Sequence, residues 1–241
     1  MIEIKNISKT FNGEIKAIQD LSLTISPGEI VGFIGLNGAG KTTLIKMMTG
    51  ILRPDSGTIS INGYDIVKEG LKAKQIIGYI SDSPDMFLRL TGLEFINFIA
   101  DMYHVSDDVR KERIKYFAEQ FNLIDALDKP MQSYSHGTRQ KMMVIAALVH
   151  NPEVWILDEP LIGLDPKSAL ILKNMMKEHA KEGNTVFFST HVLEIAEKLC
   201  DKVAIIDQGK IVFFGTLEDL KHKYHKKDDL EKLFMEVIQD E

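Results

Sequence analysis

The sequence predicts an α/β fold that combines a mixed β-sheet, an N-terminal antiparallel β-subdomain and an inserted helical lobe. Short segments of alternating apolar and polar residues, separated by turn signals, are frequent in the first third of the chain. A glycine-rich loop joins a β-branched run to a helical segment. From about residue 83 to about residue 150 the apolar spacing is helical, and β/α alternation returns afterwards. We therefore expect a core that is interrupted by an insertion.

Strands are predicted from the period-two pattern of the N-terminal segment and from short apolar runs further along. The alternating apolar residues are Ile2, Ile4, Ile7, Leu21, Leu23 and Ile25. Turn signals stand at Asn12-Gly13 and at Ser26-Pro27-Gly28, so strands and hairpins fit this segment best. The further strands are predicted at Ile30–Ile34, 58–61, 76–80, 154–157, 185–189 and 203–206.

Helices are predicted where apolar residues recur at helical spacing near a capping signal. One follows the glycine-rich loop at 43–49, others begin at Thr91, Ser106 and Asp165, and Gly183 ends the last of these. One apolar helix face near the C-terminus comprises Leu230, Leu233, Phe234, Val237 and Ile238. We therefore divide the chain into one domain over residues 1–218, with the inserted lobe at about 83–150, and a C-terminal helical tail over residues 219–241.

Composition and charge argue against some classes of function. Of the 241 residues 44% are hydrophobic, so the chain can bury a substantial core. The formal net charge is -6, which argues against a protein whose main task is to grip a phosphate backbone, and we expect no nucleic acid partner. Cys200 is the only cysteine, so no disulfide can form within the chain, and a reducing cytoplasmic setting is the simpler inference.

Neither a membrane span nor a secretory signal is predicted. The longest unbroken apolar run covers residues 142–149. A helix needs ~20 apolar residues to cross a bilayer, so this run is far too short. Glu3 and Lys5 interrupt the N-terminus, and no apolar segment with a small-residue cleavage site follows them. The chain is therefore not expected to cross a membrane by itself.

The glycine-rich loop carries the strongest chemical signal. Residues 35–42 match the pattern G-x-x-x-x-G-K-[ST] in full, directly after a strand and before a helix. In such a phosphate loop the backbone N–H groups wrap the phosphates, Lys41 reaches the β and γ oxygens, and Thr42 ligates Mg²⁺. The residues predicted to bind a nucleoside triphosphate here are Gly35, Asn37, Gly38, Ala39, Gly40, Lys41, Thr42 and Thr43.

Two acidic residues follow the buried run at 154–157. In an open α/β sheet, nucleotides bind at the carboxyl ends of the strands, where Asp158 and Glu159 are expected to lie. Asp158 is placed to hold Mg²⁺, and Glu159 can polarise the water that attacks the γ-phosphate. If the pair stood alone, an acidic turn after a core strand would be the favoured explanation. The phosphate loop favours the catalytic interpretation.

The segment Tyr-Ser-His-Gly-Thr at 134–138 precedes a predicted helix. Hydrolysis needs charge stabilisation at the γ-phosphate from groups beyond the phosphate loop. The hydroxyl of Ser135, the glycine at Gly137 and the N–H groups of a helix N-terminus can cap a phosphate. An ordinary N-capped helix is the alternative for this segment.

Together these motifs resemble those of the ATP-binding subunits of ABC transporters, in the order found in that family and over nearly the whole chain. The signature Leu-Ser-Gly-Gly-Gln is matched at 134–138, where Ser135 and Gly137 are identical, and residues 161–165 resemble the loop after the catalytic Glu. The resemblance implies a P-loop NTPase core that binds ATP and Mg²⁺. It also implies that His191 contacts the γ-phosphate, although the histidine could instead be a structural helix cap.

The resemblance implies further roles at the site. Phe11 would stack on adenine, which favours ATP over GTP, while a strand core residue is the alternative at this position. The predicted catalytic residues are Lys41, Glu159 and His191, and Ser135 and Gly137 join the nucleotide-binding set.

Two departures from the family pattern concern the metal and the signature. The family usually has Gln in the loop entering the helical lobe, and the matching residue is Asp82, which is shorter and charged and can ligate Mg²⁺ directly or through water. The predicted metal ligands are Thr42, Asp82 and Asp158. In the signature, His136 and Thr138 replace Gly and Gln. This variant and the ending at 229–234 resemble ATPases of the ABC-2 exporter type.

The resemblance also implies two kinds of partner. In this family the phosphate loop and the signature meet across a head-to-tail dimer, so a second copy would supply Ser135 to the γ-phosphate held by Lys41. Integral membrane permease subunits would dock between the Asp82 loop and the helical lobe. The chain would then be cytoplasmic and peripheral on the inner face of the cell membrane. Candidate docking residues are Phe87, Leu88, Phe95 and Phe98, with lobe core as the alternative, favoured for Phe95 and Phe98.

Two other functions are considered. A soluble ABC-type ATPase that acts on ribosomes or nucleic acid usually joins two cassettes or inserts long coiled coils, and neither feature is found in this sequence. A non-hydrolysing, nucleotide-gated interaction module is the third hypothesis, with Asp82 and Thr138 as signs of decay. The residues that argue against it are Lys41, Asp158, Glu159 and His191.

Overall fold

The computed structural model describes residues 1–83, 87–223 and 234 of the chain, and these form two β-sheets with helices packed against them. The strands are β1 (Ile2–Phe11), β2 (Ile15–Ile25), β3 (Ile30–Ile34), β4 (Ser56–Ile61), β5 (Tyr64–Asp65), β6 (Ile77–Ile80), β7 (Val154–Leu157), β8 (Thr185–Thr190), β9 (Lys202–Asp207) and β10 (Lys210–Gly215). The α-helices are α1 (Lys41–Met48), α2 (Gly70–Gln75), α3 (Gly92–Met102), α4 (Asp107–Gln120), α5 (His136–Leu148), α6 (Pro166–Lys181), α7 (Leu193–Leu199) and α8 (Leu217–Lys223).

The N-terminal sheet is antiparallel, with the strand order β2-β1-β4-β5. Ile2 on the central strand pairs with Ile25 on one side and with Ile61 on the other. The alternating apolar residues of β1 and β2 are buried in one cluster with Leu44 and Ile45 of α1. The antiparallel β-subdomain predicted from the period-two pattern is confirmed, and its core supports the helix that follows the phosphate loop.

The second sheet has the order β10-β9-β3-β8-β7-β6. Its strands pair in parallel except for β10, which is antiparallel to β9. Every residue of β3, β7 and β8 is buried, as expected for parallel strands covered on both faces. The predicted mixed sheet is confirmed. The carboxyl ends of β3, β8, β7 and β6 lie side by side along one edge.

Helices α3, α4 and α5 come between β6 and β7 in the chain. Thr91 caps α3 with the predicted capping box: its Oγ1 accepts from the backbone N–H of Glu94 at 3.1 Å, and Oε2 of Glu94 accepts from the N–H of Thr91 at 2.8 Å. Buried Phe95 of α3 and Met142 of α5 belong to the same core cluster as Trp155 of β7. The inserted helices therefore share a core with the edge of the parallel sheet.

Some elements differ from the sequence-based expectations. Helix α1 begins at Lys41, two residues earlier than predicted, because Gly40 is left-handed and directly precedes the first helical turn. Helix α2 was not predicted, since Ala73 is its only buried residue and no apolar face marks it in the sequence. The C-terminal edge strand β10 was missed as well. Its burial pattern is mostly intermediate, without a clear alternation.

The aromatic side chains proposed for docking are divided between core and surface. Phe95 is 1% exposed, so the lobe-core alternative holds for it. The same alternative is wrong for Phe98, which is 42% exposed. Phe87 is also 42% exposed, and its ring centroid lies 5.6 Å from that of Phe95 and 5.4 Å from that of Phe98. The ring of Phe98 therefore packs against the exposed ring of Phe87 rather than into the core of the lobe.

The predicted C-terminal tail is only partly covered by the described residues. Helix α8 ends at Lys223. Phe234 is helical and buried in a cluster with Ile34 and Phe213. Leu230, Leu233, Val237 and Ile238 lie outside the described residues. Within the described part of the chain, no helix is long and apolar enough to cross a membrane.

Candidate nucleotide site

The phosphate loop connects the buried strand β3 to helix α1. Gly40, the last residue before the helix, has φ 111°, a conformation that L-residues with a side chain rarely adopt. A Cβ atom at this position would lie 2.5 Å from the carbonyl oxygen of Ala17 on β2. Glycine is therefore required both by the backbone conformation and by the close approach of the N-terminal sheet.

Lys41 places its ammonium group at the centre of the loop. The side chain is 7% exposed, and Nζ donates to the carbonyl oxygens of Gly35 at 2.7 Å and of Leu36 at 3.2 Å. Nζ also lies 3.7 Å from Oε1 of Glu159. A positive charge thus lies between the loop and a carboxylate that directly follows β7.

Asp158 and Glu159 follow β7, and Ser189 near the end of β8 contacts both. Ser189 Oγ donates to Oδ1 of Asp158 at 2.5 Å and accepts from the backbone N–H of Glu159 at 2.9 Å. Glu159 has φ 47°, which is uncommon for a residue with a side chain. One hydroxyl therefore orients the buried carboxylate and fixes the unusual backbone of the next residue.

The carboxylate of Asp158 is buried, with 0% exposure. Burial raises the pKa of this carboxyl, the hydroxyls of Ser189 and Thr42 act against that shift, and the charges of Asp82 and Glu159 add to it. Oδ2 of Asp158 is buried and has no hydrogen-bond partner among the described residues. A buried oxygen without a partner beside a second acid and a hydroxyl suits a cation.

His191 lies at the mouth of the site. Its Nδ1 is 3.0 Å from Oε1 of Glu159, and its side chain is 46% exposed. The hydroxyl of Thr190 accepts from the backbone N–H of Val192 at 3.0 Å, which shapes the turn that carries the histidine. The three predicted catalytic side chains, Lys41, Glu159 and His191, are therefore brought together around one carboxylate oxygen.

A cavity of about 400 Å³ opens over the phosphate loop. Its lining residues are Ile15, Lys16, Ala17, Gln19, Asn37, Gly38, Gly40, Lys41, Thr42, Thr43, Asp82, Glu159 and Gln208. Two of the predicted binding residues in the loop, Gly35 and Ala39, are buried and do not line this cavity. Phe11 does not line the cavity. Phe11 pairs across the β1–β2 hairpin with Ile15, and Ile15 does line the cavity. Nζ of Lys9 lies 5.9 Å from the centroid of the Phe11 ring.

A sequence model of the family described as "ABC transporter" matches residues 18–162. The chain belongs to this family. The ABC transporter ATP-binding protein NatA of Bacillus subtilis (strain 168) is 34% identical over 242 residues, which cover 99% of this chain and 98% of NatA. The linearmycin resistance ATP-binding protein LnrL of the same strain is 36% identical over 220 residues, 91% of this chain and 70% of LnrL.

A solved structure of an ATP binding subunit of an ABC transporter is also similar to this chain. It has a TM-score of 0.94 and 32% sequence identity, and the match covers 98% of this chain and 99% of that one. The P-loop NTPase fold expected from the sequence is confirmed. The chain is an ABC-type ATPase, and the cavity over its phosphate loop is its candidate nucleotide site.

The residues of this ABC-type site fit a magnesium ion. Mg²⁺ prefers oxygen ligands, is usually bound by one or two carboxylates together with substrate phosphates, and keeps several waters. Thr42, Asp82 and the unpartnered Oδ2 of Asp158 supply such oxygens. Within the described residues no group of three His, Cys, Asp or Glu side chains could hold a metal. The donor set thus suits a metal shared with a triphosphate.

The ABC signature segment, residues 134–138, lies at the start of α5. Ser135 is the N-cap: its Oγ accepts from the backbone N–H of Thr138 at 3.2 Å and lies 2.9 Å from the Thr138 hydroxyl. Ser135 and Gly137 are absent from the lining of the cavity over the phosphate loop of their own chain, among the residues that the structure describes. The segment keeps its helix cap at a place separate from Lys41.

Sequence reasoning missed several contributors to the candidate nucleotide site, among them Ser189, Ile15 and Gln208. Ser189 was predicted only as the last residue of the strand at 185–189. Its role follows from the pairing of β7 with β8, because Leu157 pairs with Phe188 and the next residue of each segment is then adjacent. Ile15 and Gln208 line the cavity from a hairpin and a turn. No motif marks them, so only the packing of the two sheets brings them there.

Proposed function

We propose that two copies of this ABC-type ATPase clamp two ATP molecules head to tail and thereby drive a membrane exporter. Lys41 in the phosphate loop of one copy holds the phosphates, while Ser135 and Gly137 of the other copy cap the γ-phosphate. The loop residues assigned to the remaining phosphate contacts are Gly35, Asn37, Gly38, Ala39, Gly40, Thr42 and Thr43. Mg²⁺, held by Thr42, Asp158 and Asp82, offsets the negative charge of the phosphates.

The observation that carries this proposal is the separation of two groups of residues in one chain. Lys41 and His191 both lie within 3.7 Å of Glu159, whereas Ser135 lies outside the cavity that Lys41 lines. Catalysis at the γ-phosphate benefits from donors on the side away from the phosphate loop. In this proposal a second copy of the chain supplies those donors.

Within each site Glu159 polarises the attacking water. Its carboxylate oxygen lies 3.0 Å from Nδ1 of His191 and 3.7 Å from Nζ of Lys41, so the two groups orient it at the mouth of the loop. Adenine recognition is assigned to the β1–β2 hairpin. There Phe11 offers a stacking face beside Ile15, which lines the cavity.

The first experiment tests the composite site by mixing two inactive variants. Lys41→Ala removes the phosphate lysine and Ser135→Ala removes the capping hydroxyl, so each purified variant alone should release no phosphate above background. An equimolar mixture contains dimers in which the intact Lys41 and the intact Ser135 meet at one site. We therefore expect the mixture to regain hydrolysis.

The control for this mixture is a pairing of two variants that share one defect. Lys41→Ala mixed with Lys41→Met has no intact phosphate site and should stay at background. Glu159→Gln, which keeps the phosphate contacts, should form a dimer on addition of MgATP in size-exclusion chromatography. A Lys41→Ala and Ser135→Ala mixture that stays inactive, with Glu159→Gln monomeric at high MgATP, would overturn the composite site.

The permease is proposed to dock in a second cavity, of about 480 Å³, between the end of β6 and helices α3 and α5. Its lining includes Asp82, Phe87 and Tyr103, so it begins at the nucleotide site and extends along the inserted helices. Phe87 and Phe98 expose their rings beside it. This placement gives the chain a position on the cytoplasmic face of the membrane. Export is supported by the similarity to LnrL, which is a linearmycin resistance protein.

Copurification from detergent-solubilised membranes tests the docking. Phe87→Asp/Phe98→Asp should abolish recovery of a polytopic membrane protein while ATP hydrolysis by the purified subunit remains. The matched control is Tyr116→Asp on α4, which is 49% exposed and lies outside the cavity lining in the described part of the chain. Absence of any polytopic partner with the wild-type chain would instead favour an ATPase that is not coupled to transport.

A further inference from the structure

The side chain of His136 lies over Gly163 of the same chain. A Cβ atom built on Gly163 would lie 2.5 Å from Cδ2 and 3.1 Å from Nε2 of the imidazole. Gly163 has φ 77°, and a Cβ atom on Gly137 would lie 2.7 Å from the carbonyl oxygen of Gly163. The imidazole and the two glycines therefore interlock, and the extra bulk of His136 is accommodated by its own chain.

Two further contacts join the first turns of α5 to the same loop, residues 160–165. Nε2 of buried Gln140 donates to the carbonyl oxygen of Pro160 at 3.4 Å. Nζ of Lys141 lies 3.6 Å from Oδ2 of Asp165, the residue that also caps α6. The beginning, the middle and the end of the 160–165 loop are thus each in contact with α5.

We propose that His136 is a positioning residue that holds the signature segment and the 160–165 loop together as one unit. This inference rests on the proposed head-to-tail function, because the unit would reach the nucleotide of the other copy. The loop begins directly after Glu159, so a loop detached from α5 would misplace the signature segment relative to the end of β7. The imidazole acts through packing on Gly163, not by contact with phosphate.

A double-variant cycle tests the packing between the two residues. Gly163→Ala should weaken MgATP-driven dimerisation in the Glu159→Gln background by about tenfold or more, because the added Cβ overlaps the imidazole. His136→Ala removes the ring, so the double variant His136→Ala/Gly163→Ala should recover much of the loss. The control Gly63→Ala has a similar φ of 87° and no atom within 4 Å of the added Cβ, so it reports backbone strain alone.

Kinetics separate positioning from a general loss of folding. In the chain with native Glu159, His136→Ala should raise the ATP concentration for half-maximal hydrolysis while kcat at saturating ATP stays near that of the wild type. Binding of a fluorescent ATP analogue to the monomer should be unchanged. His136→Gln places a planar amide over Gly163 and should behave like the wild type.

Three results would overturn the proposal. These are a Gly163→Ala variant no weaker than Gly63→Ala, a double variant no better than Gly163→Ala, or a His136→Gln variant as defective as His136→Ala. The last result would mean that the imidazole acts on the nucleotide directly. Failure of the Glu159→Gln parent to dimerise would instead defeat the head-to-tail function. The packing would then still be measured by the recovery of thermal stability in the double variant.

Discussion

The hydroxyl of Ser189 donates a 2.5 Å hydrogen bond to the buried carboxylate of Asp158. The same oxygen accepts from the backbone N–H of Glu159 at 2.9 Å. Since Asp158 is a candidate metal ligand and Glu159 the candidate catalytic carboxylate, one serine on a neighbouring strand orients both parts of the proposed chemistry. Removal of the Ser189 hydroxyl should therefore lower the rate of ATP hydrolysis more than the stability of the fold.

Ser189→Ala should lower kcat for ATP hydrolysis by about 10- to 100-fold, because a hydrogen bond to a charged group contributes about 1.5–3 kcal/mol. It should also raise the Mg²⁺ concentration needed for half-maximal activity, because Asp158 loses the partner that orients it. Phosphate release measured across a Mg²⁺ series checks both effects. Ser22→Ala, which loses a comparable bond from the backbone N–H of Asn6, is the control and should hydrolyse ATP normally.

Asp158→Asn should raise the thermal unfolding temperature in EDTA at neutral pH. Burial raises the pKa of this carboxyl in the folded state, so its charged form opposes folding above the ordinary value of 3.8. The difference between variant and wild type should shrink as the pH falls towards that value. Addition of MgATP should stabilise the wild type more than the variant. A variant less stable than the wild type at pH 7 in EDTA would contradict this account.

Gly40→Ala should weaken ATP binding by the phosphate loop while leaving the rest of the fold intact. The added Cβ meets the carbonyl oxygen of Ala17, and the φ of 111° is strained for alanine. A cost of about 1–3 kcal/mol for such strain corresponds to about 10- to 100-fold in ATP affinity. Equilibrium binding of ATP measures this loss. Gly183→Ala, at φ 89° with no atom within 4 Å of the added Cβ, should bind ATP like the wild type.

Stability should fall as the pH is lowered from 6.5 to about 4. Burial lowers the pKa of both His150 and His179 to about 4, so the unfolded chain takes up protons in this range before the folded chain does. Each histidine contributes up to about 1.4 kcal/mol per pH unit to the decline. Urea unfolding at several pH values measures the slope.

In His179→Gln the slope of the unfolding free energy against pH should be shallower by the contribution of one proton. This holds whatever the absolute stability of that variant. Nε2 of His179 is buried without a hydrogen-bond partner among the described residues, so protonating it in the fold is unfavourable. His222→Gln changes an exposed histidine and serves as the control. An unchanged slope in His179→Gln would show that other groups take up the protons.

Much of the fold could be predicted because its strongest local signals coincide with its tertiary contacts. The fully apolar run of β7 reads as a buried strand, and the structure buries every residue of it. The Thr91–Glu94 pair reads as a capping box, and both of its hydrogen bonds form. Helix α2 could not be predicted in this way, since only Ala73 of it is buried and its sequence carries no apolar periodicity.

The candidate site was predictable where a motif spans consecutive residues. Lys41 and Glu159 were both recognised in that way, and the structure places them 3.7 Å apart. The role of Ser189 depends on the pairing of β7 with β8, and that of Ile15 on how the two sheets meet. The packing of His136 on Gly163 likewise joins two segments that no local sequence pattern connects.

The inserted helices leave the sheet after β6 and return at β7, and these two strands are neighbours in which Ile80 pairs with Leu157. Because the two strands are parallel, the chain departs at Ile80, beside the nucleotide edge, and re-enters at Val154, which pairs with Ile77 at the opposite end of the same strands. The entropy of closing such an excursion grows only slowly with its length. The whole lobe could thus be lengthened, shortened or exchanged with that of a relative while the strand ends at the nucleotide stay in register. With the permease docked on the lobe as proposed, such an exchange would let the same ATPase core act with a different permease.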